Sequence, residues 1–365
     1  AGSNERWMVA RQFDPCQHTR TMKRNSTIDD VAKAAGVARV TVSRVVNNVA
    51  NVSPETRERV QRAVKALGFS VNRQARALAS GAGRRVLLIH QHQPEQEPNS
   101  FYHAGLELGA LRSCSALGYD LINRSIDPEA SDRSSLVEAI LKRERPAGIV
   151  VSPPLSDNLQ LLVAVRDAGV PIVAISAGEE ARQIVSAIGI DERAGGRAVG
   201  EHLVGLGHHR IGFVKGPPEH RAAALRFNGF VEALKASGSA ELAWHMSGDF
   251  TFKSGVEATE QLLREQTPVT ALACANDDMA AGAMLALHRA GLEIPSAISV
   301  TGFDDTPMSA IIWPPLTTIR QPIKYLAERA IHLLFASDPA PQYELVNHEL
   351  VVRDSTAAPN RFRST

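Results

Sequence analysis

From residue 84 onward the chain repeats one rhythm, a short apolar run followed by a longer stretch whose apolar side chains recur at helical spacing. Val86-Leu87-Leu88-Ile89, Tyr119-Asp120-Leu121-Ile122, Gly148-Ile149-Val150-Val151 and Ile172-Val173-Ala174-Ile175 form a first series. Ala187-Ile188-Gly189-Ile190 opens a second, continued by Ile211-Gly212-Phe213-Val214, Ala271-Leu272-Ala273-Cys274 and Val300-Thr301-Gly302-Phe303. Runs that do not alternate apolar with polar are covered on both faces, and helix-length connections let successive strands pair in parallel, so the pattern predicts α/β units. Helices are expected at 101–116, 131–143 and 159–168, and the two series predict two similar lobes with a cleft between them. Ligands of such sheets sit beyond the carboxyl ends of the strands. The polar residues there are Ser152-Pro153, Asp191, Asn276-Asp277 and Asp304-Asp305, with Arg226 near a following helix start. Carboxylate and amide acceptors beside an arginine fork suit a polyhydroxyl compound. Asp191, Asp277 and Asp305 equally suit the capping of helices and turns.

The first 80 residues have a different character. They hold 14 Lys or Arg against 6 Asp or Glu, a balance of +8, while the other 285 hold 26 against 33, a balance of −7, so the net charge of +1 conceals a basic segment on an acidic body. Clustered cations on one small segment are what a polyanion attracts. Thr27 with Asp30 three residues on reads as an N-cap, and Ile28, Val31, Ala32 and Ala35 follow at helical spacing. Gly36 ends that helix. A second runs from Arg39 to Asn47 with Val42, Val45 and Val46 inward, and a third starts at Ser53-Pro54-Glu55 and ends near Leu67-Gly68, with Val60, Val64 and Leu67 inward. Two helices joined through a glycine turn match a helix-turn-helix. Outward on the second helix stand Arg39, Val40, Thr41, Ser43 and Arg44. Arginine grips guanine, an aliphatic group meets a thymine methyl, and hydroxyls reach phosphate. Arg39, Val40 and Arg44 are therefore expected at base edges, Thr41 and Ser43 at the backbone.

Thr27-Ile28-Asp29-Asp30-Val31-Ala32-Lys33-Ala34-Ala35-Gly36-Val37, Thr41-Val42-Ser43-Arg44-Val45-Val46-Asn47 and Val52-Ser53-Pro54-Glu55-Thr56-Arg57 closely resemble the head of the lactose-repressor (LacI) family. Asn72-Arg73-Gln74-Ala75-Arg76-Ala77-Leu78-Ala79-Ser80 is similar to its hinge, and Arg226-Phe227-Asn228-Gly229-Phe230, Ala275-Asn276-Asp277, Gly302-Phe303-Asp304-Asp305 and Pro315-Leu316-Thr317-Thr318-Ile319-Arg320-Gln321-Pro322 resemble its sensor. The resemblance implies a small all-α head with a hinge helix, joined to a two-lobed α/β sensor with parallel sheets, similar to periplasmic binding proteins. It places the head at 26–71, the hinge and linker at 72–83 and the sensor at 84–355, between an extension at 1–25 and a flexible tail at 356–365. It adds Asn47, Asn72, Arg73, Ala75, Arg76 and Leu78 to the DNA contacts, with Leu78 wedged into the minor groove. It assigns the effector to Arg226, Asn276, Asp304 and Gln321, with Phe250 as stacking surface, alongside Ser152 from the strand ends; Asp277 and Asp305 hold loops. Ala38 departs from the family's usual cap and Val71 from its usual proline.

A single head reads few base pairs, so two heads on a palindromic operator are required and the body is expected to form a homodimer; the resemblance implies that its interface runs along helices near 101–116 and 279–290. The resemblance implies a transcriptional repressor of carbohydrate-catabolism genes relieved by a sugar-like effector, with a corepressor-dependent or purine-type regulator of the same fold as the alternative and a sugar-binding protein without a regulatory role behind both. Cys16, Cys114 and Cys274 are scattered and odd in number, which fits a reducing cytoplasm. No apolar run approaches the roughly 20 residues that span a bilayer. No nucleotide-binding glycine pattern, metal spacing or activated nucleophile occurs, so neither cofactor, metal nor enzyme activity is expected. His208-His209 reads as structural, and His90 and His92 as cleft-border residues without a third ligand. Trp313 fits either packing at a lobe crossover or a pocket wall.

Overall fold

In the computed structural model, residues 27–46, 52–67, 83–91, 100–126, 133–336 and 340–360 are described. They divide into two compact units, residues 1–76 and 77–365. The first holds helices α1 (Ile28–Ala35), α2 (Arg39–Val46) and α3 (Pro54–Ala66). Thr27 closes a capping box on α1: its backbone N–H donates to Asp30 Oδ2 at 2.7 Å and its Oγ1 accepts from Asp30 N at 3.3 Å. Gly36 then stops the helix in the left-handed region at φ +64°, where a side chain would be strained. Ser53 caps α3 with Pro54 in its first turn. Val31, Ala32 and Ala35 of α1 meet Val42 and Val45 of α2 and Val60 and Ala63 of α3 in one small core. Leu67, expected inside, is 37% exposed, because the buried stripe of α3 runs through Val60 and Ala63.

The second unit contains two sheets with parallel neighbours. The larger has the order β11-β5-β4-β3-β1-β2, built from β1 (Arg85–Gln91), β2 (Asp120–Ile126), β3 (Gly148–Val151), β4 (Ile172–Ile175), β5 (Ser186–Ile190) and β11 (Tyr343–Val346). Its faces are separated residue by residue. Val86, Leu88, Val150, Val173 and Ile175 point to one core, and Leu87, Ile89, Ile149, Val151, Ile172 and Ala174 to the other, as the two-residue period of a strand demands. Helices α4 (Ser100–Leu117) and α12 (Ile323–Leu334) cover the first face; α5 (Arg133–Glu144) and α6 (Leu159–Asp167) belong to the second, with the short α7 (Glu179–Arg182) before β5.

The smaller sheet, order β7-β6-β8-β9, consists of β6 (Arg210–Lys215), β7 (Glu241–Ser247), β8 (Ala271–Cys274) and β9 (Ser299–Thr301). Helices α8 (Glu192–Gly205), α9 (Arg221–Ser237), α10 (Phe252–Glu265) and α11 (Asp277–Arg289) pack with it around a single core. Strands β10 (Thr318–Arg320) and β12 (Glu349–Val351) form a separate antiparallel pair.

One expected boundary moves. Ala187–Ile190 does not open the second lobe: β5 pairs in parallel with β4 and with β11, so it completes the first sheet. The chain crosses to the second lobe after Ile190, returns after Gln321 through α12 to β11, and crosses again before β12. Hydrophobic periodicity could not show this, since both sheets use the same apolar strands. Thr356 and Ala357, expected within a free tail, are docked: Ala357 N donates to Ser299 Oγ at 3.1 Å, and its carbonyl lies 2.9 Å from His208 Nε2. His208 is buried between that carbonyl and Thr270 Oγ1, which is a structural role. Trp313 is 88% exposed, so in this chain it neither packs at a crossover nor walls a pocket. No helix among the described residues is long and apolar enough to cross a membrane.

Candidate DNA and effector sites

In α2 the burial alternates as the helix-turn-helix reading requires. Val42 and Val45 are buried, Thr41 and Ser43 are partly covered, and Arg39, Val40 and Arg44 are exposed. Val40 at 55% exposure is an apolar side chain held outward by the inward turn of its neighbours. Arg39 makes a long, solvent-exposed ion pair with Asp29 at 3.6 Å, the kind of contact that contributes little and is readily exchanged. Asn47 and the hinge residues Asn72, Arg73, Ala75, Arg76 and Leu78 lie outside the described residues.

The second unit places its polar residues at the crossovers. Asp191, directly after β5, caps α8 by accepting from Ala194 N at 2.9 Å, which fixes Glu192 in the first turn. Opposite lies Arg226 of α9. Helices α8 and α9 meet with almost no space between their backbones: a Cβ on Gly196 would lie 1.9 Å from Arg226 O, and one on Gly229 would lie 1.9 Å from Arg193 O. Only glycine allows that approach, and it carries Arg226 to Glu192. Arg226 Nε donates to Glu192 Oε2 at 2.7 Å and Nη1 donates to the Ala275 carbonyl at 2.8 Å. Its guanidinium stacks 3.8 Å over Phe303, and Asp304 Oδ1 stands 3.7 Å from Nη1. Gln321, where the chain leaves for the first lobe, donates from Nε2 to Asp304 Oδ1 at 2.5 Å.

Arg226, Glu192, Asp304 and Gln321 are all buried. Burial is the main influence on Asp304 and raises its carboxyl to about 7, against the pull of Arg226 and the Gln321 amide. Tyr102, at the start of α4 in the first lobe, has its hydroxyl pushed up by burial and by the charges of Glu192 and Asp304, which brings an aromatic from the other lobe to the same cluster. His220 lies edge-on to Phe250 with ring centroids 4.9 Å apart, and burial with the nearby Arg226 lowers its imidazole to about 3, so it is neutral. Ser176, Phe250, Asp304 and Asp305 all have positive φ, four of the six non-glycine residues of that kind among the described residues. Such strain gathers where surrounding contacts over-determine a binding site.

Of the effector residues expected from sequence, the fold brings Arg226, Asp304 and Gln321 into direct contact. Asn276 joins Phe250 at the edge of that group, donating from Nδ2 to the Phe250 carbonyl at 3.0 Å while its Oδ1 caps α11 through Met279 N. Ser152 is apart: fully buried at the end of β3, it donates to the Ile89 carbonyl at 3.4 Å and bonds to none of the cluster. Asp277 and Asp305 hold loops. Asp277 accepts from Thr306 N, Thr306 Oγ1 and Thr318 Oγ1, and Asp305 pairs with Arg320 and Arg353. Tyr102 belongs to the Phe101-Tyr102 pair that the sequence offers as a stacking surface at the first cleft loop, whereas Glu192 and His220 were missed. The signal for Glu192 was its place one residue after a strand-end Asp, on a helix start carrying Gly195-Gly196. No group of three or more His, Cys, Asp or Glu suited to a metal occurs among the described residues.

A three-helix basic unit presenting an arginine-bearing helix, followed by a two-lobed sensor with a buried polar cluster at its crossovers, defines a ligand-responsive DNA-binding protein. Residues 27–72 match the family model for bacterial regulatory proteins of the lacI family, and residues 200–356 match that for a periplasmic binding protein-like domain. The chain is 33% identical over 339 residues to the lactose operon repressor of Escherichia coli, covering 92% of this chain and 91% of that protein. It is 33% identical over 351 residues to the transcriptional regulator CelR of Thermobifida fusca, covering 91% and 99%. Among solved structures it resembles a CelR–cellobiose complex, with TM-score 0.67, 30% identity and coverage of 90% and 99%, and a lac repressor dimer bound to operator and an anti-inducer, with TM-score 0.65, 30% identity and coverage of 92% and 100%. The chain belongs to the LacI family: it is a sequence-specific DNA-binding transcription regulator and not an enzyme.

Proposed function

We propose that the protein is a homodimeric repressor of carbohydrate-catabolism genes that leaves a palindromic operator when a saccharide enters the sensor. The observation that carries this reading is the buried Glu192–Arg226–Asp304–Gln321 cluster, two members of which stand where the chain passes between lobes. A ligand bonded there touches two of the crossovers, so it biases the lobe arrangement, and coupling to operator binding is then reciprocal, typically about 1 to 3 kcal/mol. The similar CelR complex contains cellobiose, which favours a saccharide. A second reading, a purine-type corepressor, draws on 34% identity to a PurR repressor of Klebsiella pneumoniae.

Arg39, Val40 and Arg44 read base edges, Thr41, Ser43 and Asn47 set the backbone register, and Asn72, Arg73, Ala75, Arg76 and Leu78 form the hinge contact. The dimer is supported by exposed apolar side chains on two elements. Leu108 and Leu111 line the outer face of α4, while Ile311 and Trp313 stand at 80% and 88% exposure on the loop packed beside α11. The expected contact along 279–290 narrows to that loop, since α11 is buried by its own lobe over most of its length. Titration of labelled operator with the full chain, with and without mono- and disaccharides, tests the reading. Weakened operator binding with a saccharide is expected; strengthening by a nucleobase selects the second reading.

A further inference from the structure

The buried cluster has an unusual charge balance for a site built around an arginine. Arg226 is answered by two carboxylates, Glu192 at 2.7 Å and Asp304 at 3.7 Å, all within a few per cent of full burial. Among the described residues no second cation is paired with them. The neighbouring His220 is neutral, and Arg221, whose guanidinium lies against Gly178, interacts with Asp157. The unpaired polar atoms point the same way: Glu192 Oε1 and Gln321 Oε1 are buried acceptors with no hydrogen-bond donor among the described residues. Buried acceptors left without donors are costly. Both belong to side chains whose other polar atom is already committed, Glu192 Oε2 to Arg226 and Gln321 Nε2 to Asp304. The cluster is therefore completed by a ligand that brings hydrogen-bond donors, and a ligand bringing another negative charge would face two buried carboxyl groups while Arg226 Nε is held by Glu192 and Nη1 by the Ala275 carbonyl.

We infer that Glu192 is the charge filter of the effector site, so that the effector is a neutral or amino-bearing polyhydroxyl compound and sugar acids and sugar phosphates are refused. This rests on the effector assignment above and narrows it. Glu192 acts both by occupying Arg226 Nε and by presenting Oε1 as an acceptor, and an isosteric amide removes the charge while keeping the volume.

The test is titration calorimetry of the full chain at pH 8, where Asp304 is ionised, against galactose, galactosamine, galacturonate and galactose 6-phosphate, and against the same four derivatives of glucose. Wild type is expected to bind a neutral or amino member at least about 10-fold more tightly than the matching anions, and Glu192→Gln to raise affinity for the matching uronate by about 10-fold. Wild-type binding of a uronate or phosphate as tightly as its neutral counterpart overturns the inference, as does a Glu192→Gln protein with unchanged preference. If wild type binds none of the eight, the variant still decides: new binding of a uronate or of inorganic phosphate supports the filter, and no new binding rejects it. Glu192→Ala replaces the amide variant if that protein fails to melt cooperatively. Operator titration with each bound sugar separates the two readings, because a neutral sugar that binds without moving operator affinity breaks the proposed induction and leaves the charge preference standing.

Discussion

The two units use arginine in opposite ways. In the head, Arg39 and Arg44 are exposed, and the ion pair Arg39 makes with Asp29 is solvated on both sides. In the sensor, Arg226 is 6% exposed, stacked on Phe303 and held between Glu192 and Asp304. A solvated arginine contributes little to folding and remains free to exchange its partner for phosphate or guanine. A buried one is bound to its partners by the cost of leaving any of them alone, so it serves as a fixed reference for a ligand. Stability and function are therefore separable in the head and joined in the sensor.

The sharpest way to break that contrast is Arg226→Ala. It leaves Glu192 without its buried partner and removes the cation that favours the ionised form of Asp304, and destabilisation of the sensor by about 3–5 kcal/mol is expected, read as a lowered sensor melting transition with the head transition unmoved. A sensor that melts as before would show that the cluster is looser than its distances imply.

The next effect is a slope. Because burial raises the Asp304 carboxyl to about 7, the folded state holds its proton more tightly than the unfolded chain does. The contribution is full below the usual carboxylate range and is lost as pH rises towards 7. Asp304→Asn should flatten the fall in sensor stability between pH 4 and 7 in melting curves, whereas an unchanged slope would place the titration elsewhere.

In the head, Arg44→Ala should cost about 1–3 kcal/mol of discrimination between operator and scrambled DNA, with sensor melting and saccharide binding unaltered. Equal loss on both DNA sequences would reassign Arg44 to the phosphates. The smallest change is Thr27→Ala, which removes the capping-box oxygen from Asp30 N and should weaken the head by about 1 kcal/mol, seen as earlier head melting at constant sensor melting.

Much of the molecule was legible in the chain because its causes are local. Thr27 and Ser53 announce helix starts, Gly36 a stop, and Val42 with Val45 an inward face, since caps and periodicity act over a few residues. The same holds for the apolar strands from Val86 to Val300, which need cover on both faces wherever they sit. The resemblance carried Arg226, Asp304 and Gln321, which the fold then brought into contact. Leu67 was misjudged because the choice between two helical stripes depends on what packs opposite.

What the sequence by itself determined is thus the pair of architectures, the basic charge of one and the acidic charge of the other, and the outward face of α2. The tertiary structure alone decided that Ala187–Ile190 completes the first sheet, that Trp313 faces solvent, and that Glu192 closes on Arg226. Strand order is set by which edges pair across long intervals, and a buried ion pair by how closely two helices approach. Gly196 and Gly229 allow an approach that only packing brings about, and it joins residues 34 positions apart into one site.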